Sequence, residues 1–211
     1  MGASSHPVGQ NGDHNHRRGT VPPTRARSQP SPEDRNGEWT NVDLKDYIRD
    51  VPDFPKPGIL FKDITPLLQN PSAFQEAIDR LADRYAHEEL DAVVGIEARG
   101  FLLAAPLAYR LGKPLVPVRK KGKLPFDTLS VKYSLEYGDD TVEVHTDGFS
   151  MGQRVLIVDD LLATGGTMAA AARLVEKTGG RVSSIAVLVE LTDLEGRARL
   201  RGYEVEALIT Y

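Results

Sequence analysis

The sequence predicts an α/β fold in which a central, mostly parallel sheet is flanked by helices. Short apolar runs rich in Val and Ile, which are typical of strands buried on both faces, alternate along the chain with amphipathic helical patterns. Such alternation favours a parallel sheet covered by helices on both sides. Apolar and polar residues also alternate on either side of residues 138–140, which predicts a β-hairpin.

Length and composition indicate one folded domain preceded by a tail. At 211 residues the chain is long enough to bury a substantial core. Residues 1–38 are rich in Gly, Pro, Ser, Asn and Arg and contain few large apolar side chains. We therefore expect a disordered, chemically dispensable tail over residues 1–38 and the folded domain over residues 39–211.

Composition also excludes several classes of function. The chain has no cysteine, which excludes disulfides and thiol chemistry and is consistent with a reducing, cytoplasmic location. No apolar run approaches the ~18 residues of a membrane span, and the N-terminus lacks the apolar core of a signal peptide. The formal net charge of −4 argues against a nucleic-acid-binding body. We therefore expect neither a membrane nor a nucleic-acid partner.

The first part of the domain is predicted to hold two helices separated by a stiff loop. Apolar residues recur with helical spacing at Leu44, Tyr47, Ile48 and Val51. Pro52 ends this helix, and the prolines of residues 53–68 confine that segment to an extended loop. The loop is interpreted either as a wrap over the core or as a flap whose Phe61 stacks on a flat ligand. Asn70 then caps a second helix whose apolar stripe reaches Tyr85.

The remaining elements complete the alternating pattern. Strands are predicted over residues 91–96, 115–118, 129–137, 141–145, 155–158, 182–191 and 205–209. Helices are predicted over residues 101–111 and 168–177. Open α/β sheets bind their ligands at the carboxyl ends of the strands, so the polar residues that follow these strands are the candidates for a functional site.

One fourteen-residue segment carries the strongest functional signal. The apolar strand 155–158 leads into two adjacent carboxylates, Asp159 and Asp160, then into a loop rich in Thr and Gly, and a helical pattern begins at Met168. Backbone N–H groups of such a loop and of the helix N-terminus favour an anion, and glycines let the backbone approach a phosphate closely. The loop residues are Ala163, Thr164, Gly165, Gly166 and Thr167.

The paired carboxylates distinguish this segment from an ordinary phosphate loop. Because carboxylates repel a phosphate, Asp159 and Asp160 must face another group, and ribose hydroxyls or a divalent cation shared with pyrophosphate are the natural partners. No Gly-Lys-Ser/Thr follows the loop, so the Walker pattern is absent. The alternative is a tight βα turn with acidic capping; the pattern favours a site for a phosphorylated sugar.

Cations follow two other strands. Arg99 stands between a strand and a helix, where its planar fork suits pyrophosphate, although a lone arginine is more often a surface ion-pair partner. Residues 119–123 contain four cations, which are either a solvated face or part of a mobile hood that closes over an anion and excludes water. Glu136, on the hairpin, is either an ordinary exposed carboxylate or a group that stabilises charge or manages a proton at the reacting centre.

Five segments resemble the adenine-using branch of the type I phosphoribosyltransferase family. They are residues 54–64, 99–101, 119–125, 133–138 and 158–168, in the family's order. The resemblance implies a type I phosphoribosyltransferase fold with a flexible β-hairpin hood. It further implies transfer of the phosphoribosyl group of 5-phosphoribosyl 1-pyrophosphate (PRPP) to adenine, forming AMP and pyrophosphate in purine salvage. Mg²⁺ bound mainly through PRPP or pyrophosphate and a cytoplasmic homodimer are implied in the same way.

The resemblance also implies roles for individual residues. Substrate-binding residues would be Leu60, Phe61, Lys62, Arg99, Arg119, Lys120, Lys123, Asp159, Asp160, Ala163, Thr164, Gly165, Gly166 and Thr167. Catalytic residues would be Glu136, Arg99 and Tyr137. In this scheme adenine stacks on Phe61, cations hold pyrophosphate, the paired carboxylates hold the ribose hydroxyls, and the glycine loop binds the 5′-phosphate. No metal ligand is assigned to the protein itself.

Three alternatives remain at this point. A transferase for xanthine, hypoxanthine or orotate would differ in the flap, residues 54–63. A PRPP- or purine-sensing regulator that binds nucleic acid would require a basic face, which the acidic net charge disfavours. A catalytically silent relative is disfavoured because Arg99, Glu136 and both carboxylates are present.

Overall fold

The computed structural model describes residues 42–135 and 138–211. The helices of this part of the chain are α1 (Thr65–Gln69), α2 (Pro71–Tyr85), α3 (Gly100–Leu111) and α4 (Gly166–Lys177), with short 3₁₀ turns at Leu44–Tyr47, Thr192–Leu194 and Gly196–Leu200. The strands are β1 (Arg49–Pro52), β2 (Leu60–Asp63), β3 (Ala92–Ile96), β4 (Leu115–Lys120), β5 (Thr128–Leu135), β6 (Gly138–His145), β7 (Arg154–Leu162), β8 (Arg181–Glu190) and β9 (Val205–Thr210).

A seven-stranded sheet forms the centre of the domain, in the order β5-β6-β4-β3-β7-β8-β9. Strands β4, β3, β7, β8 and β9 are mutually parallel, while the hairpin β5–β6 joins antiparallel at the β4 edge. The predicted mostly parallel sheet is therefore confirmed. From β3 the chain proceeds outward to β4, whereas β7 leads in the opposite direction to β8 and β9. The strand order thus reverses between β3 and β7, and a crevice opens at such a point.

Alternation along the central strands sorts their side chains between two apolar layers. Val93, Leu156 and Val158 are buried on one face, in the cluster that includes the apolar stripes of α2 and α3. Val94 and Ile157 are buried on the other face, in the cluster that includes helix α4. Successive residues of a strand point to opposite faces, so strands that must fill both layers consist almost wholly of Val, Ile, Leu and Ala. Within the described ranges, no helix is long and apolar enough to cross a membrane.

The helix predicted through Val51 is wrong beyond its first turn. Asp43 caps a single 3₁₀ turn, and the chain then becomes strand β1, in which Val51 pairs with Phe61 of β2. Pro52 disfavours the helical conformation for Val51, and a helix of two turns gains too few hydrogen bonds to outweigh its nucleation. The ladder with β2 satisfies the backbone instead. The loop predicted over residues 53–68 is accordingly shorter, since it contains β2 and most of α1.

Two other boundaries differ from the prediction. Gly138 and Asp140, which the sequence pattern places between the two strands, belong to strand β6 and pair with Leu135 and Tyr133. Strand β7 extends to Leu162, because its ladder with β8 continues past the carboxylates. The paired acids therefore lie within the last part of a strand, which fixes their backbone more firmly than a loop would.

Candidate active site

A cavity of about 530 Å³ opens at the carboxyl ends of β3 and β7, where the strand order reverses. Its walls come from the β3–α3 turn, the end of β7, the loop that enters α4, and the strands β4, β5 and β6. The lining residues are Glu97, Ala98, Arg99, Lys120, Tyr133, Asp140 and the continuous run 159–168. Segments that are far apart in sequence therefore meet in one cavity.

The two carboxylates differ in their surroundings. Asp159 is half-buried, and its Oδ1 accepts a hydrogen bond of 2.9 Å from the Asp160 backbone N–H. Asp160 is buried, and its Oδ2 lies 2.7 Å from Nε of Arg99. Burial and then the charge of Asp160 raise the pKa of Asp159 well above its ordinary value. Burial also raises the pKa of Asp160, although the Arg99 charge opposes that shift. Ionising both carboxyl groups therefore costs free energy when no ligand is bound.

Glycine is required at two points around the acids. A Cβ on Gly100, the first residue of α3, would lie 2.7 Å from Oδ1 of Asp159 and 2.9 Å from the carbonyl oxygen of Val158. Only glycine lets the helix begin so close to the strand end. Gly165 has a φ of 77°, the left-handed conformation that turns the chain into α4. The first amides of α4 therefore adjoin the cavity, where the helix dipole favours an anion.

The proline-rich segment reaches the same site through an aromatic ring. Strands β1 and β2 form a separate antiparallel pair, and the ring centroid of Phe61 lies 5.0 Å from the Arg99 guanidinium carbon. Phe54 packs edge-on against Phe61, with 5.1 Å between the ring centroids. Phe54 and Leu60 are exposed, so the flap presents apolar side chains to solvent beside the site. Arg99 thus joins the flap to the buried acid.

A polar cluster from the hairpin closes another side of the cavity. The Tyr133 hydroxyl donates to Oδ2 of Asp140 and accepts from Oγ1 of Thr167, each at 3.4 Å. Nζ of Lys120 also lies 3.4 Å from Oδ2 of Asp140. Burial raises the pKa of Tyr133, so this hydroxyl stays protonated and able to donate. Tyr133 and Asp140 pair far from the Thr128–His145 end of the hairpin, so it is the distal part of the hairpin that is hydrogen-bonded directly to Thr167 of the glycine loop.

Comparisons with known proteins identify the family to which a chain with this fold and cavity belongs. Residues 63–208 match the model of the phosphoribosyl transferase domain. The chain is 58% identical over 170 residues to adenine phosphoribosyltransferase of Kosmotoga olearia, which covers 81% of this chain and 100% of the relative. The chain belongs to the adenine phosphoribosyltransferase family.

Solved structures of adenine phosphoribosyltransferases share the fold. The protein from Thermoanaerobacter pseudethanolicus superimposes with a TM-score of 0.78 at 56% identity, over 80% of this chain and 98% of that one. The Saccharomyces cerevisiae protein, solved with an imino-altritol bisphosphate and adenine, superimposes with a TM-score of 0.73 at 41% identity, over 77% of this chain and 94% of that one. The predicted phosphoribosyltransferase fold is thereby confirmed.

The structure gathers most of the predicted phosphoribosyltransferase site but not all of it. In the cavity wall lie Arg99, Lys120, Asp159, Asp160 and all five loop residues from Ala163 to Thr167. Leu60 and Phe61 lie on the flap, outside the wall. Glu136 and Tyr137 fall outside the described residues, so their predicted roles stay predictions.

Two predicted ligands, Lys62 and Arg119, have side chains engaged elsewhere in this structure, and Lys123 lies outside the cavity wall. Lys62 is buried, with its Nζ 2.6 Å from Asp50 and 3.7 Å from the ring centroid of Tyr211. Arg119 donates from Nε to Glu97 at 3.2 Å and from a terminal nitrogen to the Lys123 carbonyl oxygen at 2.9 Å. These contacts fasten the flap and the basic loop, while substrate contacts by these side chains remain predictions.

The cavity wall also contains Tyr133, Asp140 and Glu97, to which the sequence analysis assigned no role. Glu97 accepts a hydrogen bond of 2.9 Å from the Lys120 backbone N–H. Burial alone would raise the pKa of Glu97, but the hydrogen bonds from Lys120 and Arg119 outweigh burial and lower it. Glu97 follows directly after strand β3, so its position at a strand end was an available signal. Tyr133 lies in one of the segments that resemble the family, whereas Asp140 offered no signal, because only its pairing with Tyr133 brings it to the cavity.

Replacing Asp159 by asparagine is expected to stabilise the ligand-free protein at neutral pH. Because the folded-state pKa is raised above 3.8, wild-type stability falls as pH rises from 3.8 through the folded-state value, and asparagine removes that loss. Asparagine Oδ1 still accepts the Asp160 N–H. We expect a melting temperature higher by about 2–4 °C at pH 7, the size of a ~1 kcal/mol change in a chain of this length.

Thermal unfolding at several pH values measures this difference, which should shrink as the pH is lowered toward the ordinary aspartate pKa. Asp193→Asn, at an exposed position, is the control and should leave the melting temperature unchanged. An Asp159→Asn variant that melts at or below the wild-type temperature at pH 7 would contradict the argument.

Proposed function

We propose that this protein transfers the 5-phosphoribosyl group of PRPP to adenine, forming AMP and pyrophosphate in purine salvage. One observation carries the proposal: paired carboxylates, an anion-binding glycine loop and a guanidinium line one cavity at the strand-order reversal. A sugar with a phosphate at one end and a pyrophosphate at the other needs all three groups at once. The assignment of adenine as the base rests on the similarity to proteins named adenine phosphoribosyltransferase.

In the proposed complex the glycine loop binds the 5′-phosphate. Its amides and the start of α4 face an anion, and the hydroxyls of Thr164 and Thr167 add donors. Asp159 and Asp160 accept hydrogen bonds from the ribose hydroxyls. Burial removes water from this pair, and the raised pKa values reflect the resulting cost of ionising the two carboxyls. Hydrogen bonds from the ribose hydroxyls replace those of the lost water and offset this cost. Ribose binding and ionisation of the acids are therefore expected to be coupled.

Pyrophosphate is assigned to Arg99 and Lys120, both of which lie in the cavity wall. Each cation now faces a carboxylate, Asp160 and Asp140 respectively. Oxygen donors are those that Mg²⁺ prefers, and it commonly binds through one or two carboxylates together with substrate phosphates. In the described ranges, no cluster of three or more acidic or histidine side chains is placed to hold a metal. When bound, Mg²⁺ would be held mainly by PRPP oxygens and would supply charge neutralisation for the leaving pyrophosphate.

The proposed reaction is a dissociative displacement at C1 of the ribose, in which the bond to pyrophosphate breaks as the bond to adenine N9 forms. Orientation by the glycine loop and the paired acids, together with cations around the leaving group, supplies most of the acceleration. The hairpin excludes water that would otherwise capture the ribosyl cation-like centre. Glu136 is assigned to the reacting base, either as a stabiliser of charge or as a proton carrier, with Tyr137 beside it.

Incubation with PRPP, Mg²⁺ and each purine in turn tests the proposal. We expect AMP from adenine and little or no product from hypoxanthine, xanthine or orotate. Product from another base in preference to adenine would replace the substrate assignment. Absence of product with every base, together with PRPP-dependent binding of nucleic acid, would favour a regulator instead.

Replacing Phe61 by alanine is expected to raise the KM for adenine about 5- to 150-fold, which corresponds to ~1–3 kcal/mol of base stacking. The ring is proposed to stack on adenine, because it stands beside Arg99 and next to the exposed Leu60. The KM for PRPP should change little. Steady-state kinetics with each substrate varied in turn measures both values.

Phe61→Tyr is the matched control for that experiment, since it keeps the ring. Its KM for adenine should stay near the wild-type value. An unchanged KM for adenine in Phe61→Ala would contradict the stacking role and favour the other interpretation, in which the flap only wraps over the core.

We further propose a cytoplasmic homodimer. Leu102 and Tyr109 lie on one side of α3 with 47% and 86% of their surfaces exposed, so this side of the helix offers an apolar surface to a second copy. An isologous contact through this face would cover both residues in each copy.

A further inference from the structure

The 3₁₀ turn Gly196–Leu200 lies directly behind the glycine loop. A Cβ on Gly196 would lie 2.2 Å from the carbonyl oxygen of Ala163, and a Cβ on Gly165 would lie 2.4 Å from the carbonyl oxygen of Gly196. Two backbones therefore touch with no side chain between them. The φ of Gly165 is positive, whereas that of Gly196 is not. Gly196 is thus required for space rather than for backbone freedom.

An ion pair fixes the position of this turn. Arg197 donates from Nε and from a terminal nitrogen to the two carboxylate oxygens of Glu190, each at 2.7 Å. The other terminal nitrogen donates to the Val205 carbonyl oxygen at 2.8 Å. Glu190 is 4% exposed, and the paired fork raises the pKa of Arg197. A bidentate pair of this kind restricts orientation as well as distance.

The ion pair is attached to the strand that carries the glycine loop. Glu190 is the last residue of β8 and pairs in register with Leu162, the last residue of β7. The Leu191 backbone N–H also donates to the Leu162 carbonyl oxygen at 2.9 Å. The loop begins at the next residue, Ala163. Its side chains are small, so its shape depends on what its backbone rests against.

We propose that Gly196, held by the Glu190–Arg197 pair, is a positioning residue for binding of the sugar 5′-phosphate. The inference rests on the proposed function of the glycine loop. Contact with Gly196 fixes the Ala163 carbonyl and the left-handed turn at Gly165, and thereby aims the following amides into the cavity. A methyl group at residue 196 pushes the loop toward the phosphate and misaligns those amides. Neither Gly196 nor Arg197 lies in the cavity wall.

The test is Gly196→Ala, measured by calorimetry with PRPP and Mg²⁺ and by steady-state kinetics. We expect the Kd and the KM for PRPP to rise at least tenfold, while the KM for adenine stays within about twofold of wild type. A merely structural role would lower the amount of active protein without separating the two KM values. Gly202→Ala is the control for a general loss of stability, because the φ of +95° at Gly202 strains an alanine while nothing lies within 4 Å of a Cβ there. It should leave both KM values unchanged.

If Gly196→Ala does not fold, Arg197→Lys tests the positioning role of the turn instead. Lysine keeps the charge but loses the fork, so the turn is held less firmly and the KM for PRPP should rise while that for adenine does not. The inference is overturned if a folded Gly196→Ala binds PRPP with wild-type affinity. If Gly196→Ala is unfolded, wild-type PRPP affinity in Arg197→Lys overturns it. Neither result contradicts the proposed function. Failure of the wild-type protein to bind PRPP overturns both.

Discussion

Asp160→Asn is expected to lower kcat/KM for PRPP about 100- to 1,000-fold, the loss that follows removal of one well-placed charged partner in a water-poor site. Asp160 is buried, and its carboxylate is proposed to hold a ribose hydroxyl while Arg99 turns to pyrophosphate. Asparagine has the same shape but offers one neutral acceptor. Kinetics with PRPP varied at saturating adenine measure the loss.

The fold should survive this substitution. Asparagine removes a like charge from beside Asp159, so the variant should melt within a few degrees of wild type. Asp79→Asn is a suitable control, since Asp79 pairs with Arg110 at 2.8 Å on the far end of α3, the helix that Arg99 precedes. Wild-type-like turnover in Asp160→Asn would remove Asp160 from the site.

Arg99→Ala is expected to reduce kcat/KM for PRPP by a similar factor, on the order of 100-fold or more. Arg99 contacts both recognition elements, the buried acid at 2.7 Å and the Phe61 ring at 5.0 Å, and is proposed to stabilise the leaving pyrophosphate. Its loss also leaves the Asp160 carboxylate buried without a cation, so the pKa of Asp160 should rise further. The activity that remains should then recover as the pH is raised.

A pH profile of kcat/KM for Arg99→Ala against wild type tests both parts of this expectation. Arg99→Lys should fall between the two, because lysine restores the charge without the planar fork. Arg110→Ala, which breaks an exposed ion pair between α3 and Asp79 of α2, should have nearly wild-type activity. Turnover near wild type in Arg99→Ala would remove this residue from pyrophosphate binding.

Local patterns were sufficient where one physical effect dominated. Strands β3, β7 and β8 are buried on both faces, and helix α2 starts with an asparagine cap followed by proline, so each had a strong signal in a few neighbouring residues. The cavity followed from the rule that polar groups after parallel strands share one edge of the sheet. The helix predicted through Val51 failed because pairing with Phe61 of β2, ten residues away, outweighed a weak helical spacing.

Side-chain partners were not open to the same reasoning. Arg119 belongs to a cationic segment that suggests anion binding, and the resemblance implies a substrate-binding role for Lys62. Lys62 is nevertheless held by Asp50 and Tyr211, and Arg119 by Glu97. Nothing near these residues in the sequence announces such pairings, because they depend on the packing of distant elements. The support of the glycine loop by Gly196 is of the same kind.

The sequence by itself determined the alternating fold, the acid pair, the anion-binding loop and the family, because each is written in consecutive residues whose backbone conformation and chemistry are local. Only the tertiary structure decided that Arg99 faces Asp160, that Tyr133 bonds to Thr167 and that Gly196 touches the loop from behind. These contacts form when the sheet and its helices close, and at distances of a few ångströms they set the charge, burial and shape of the site.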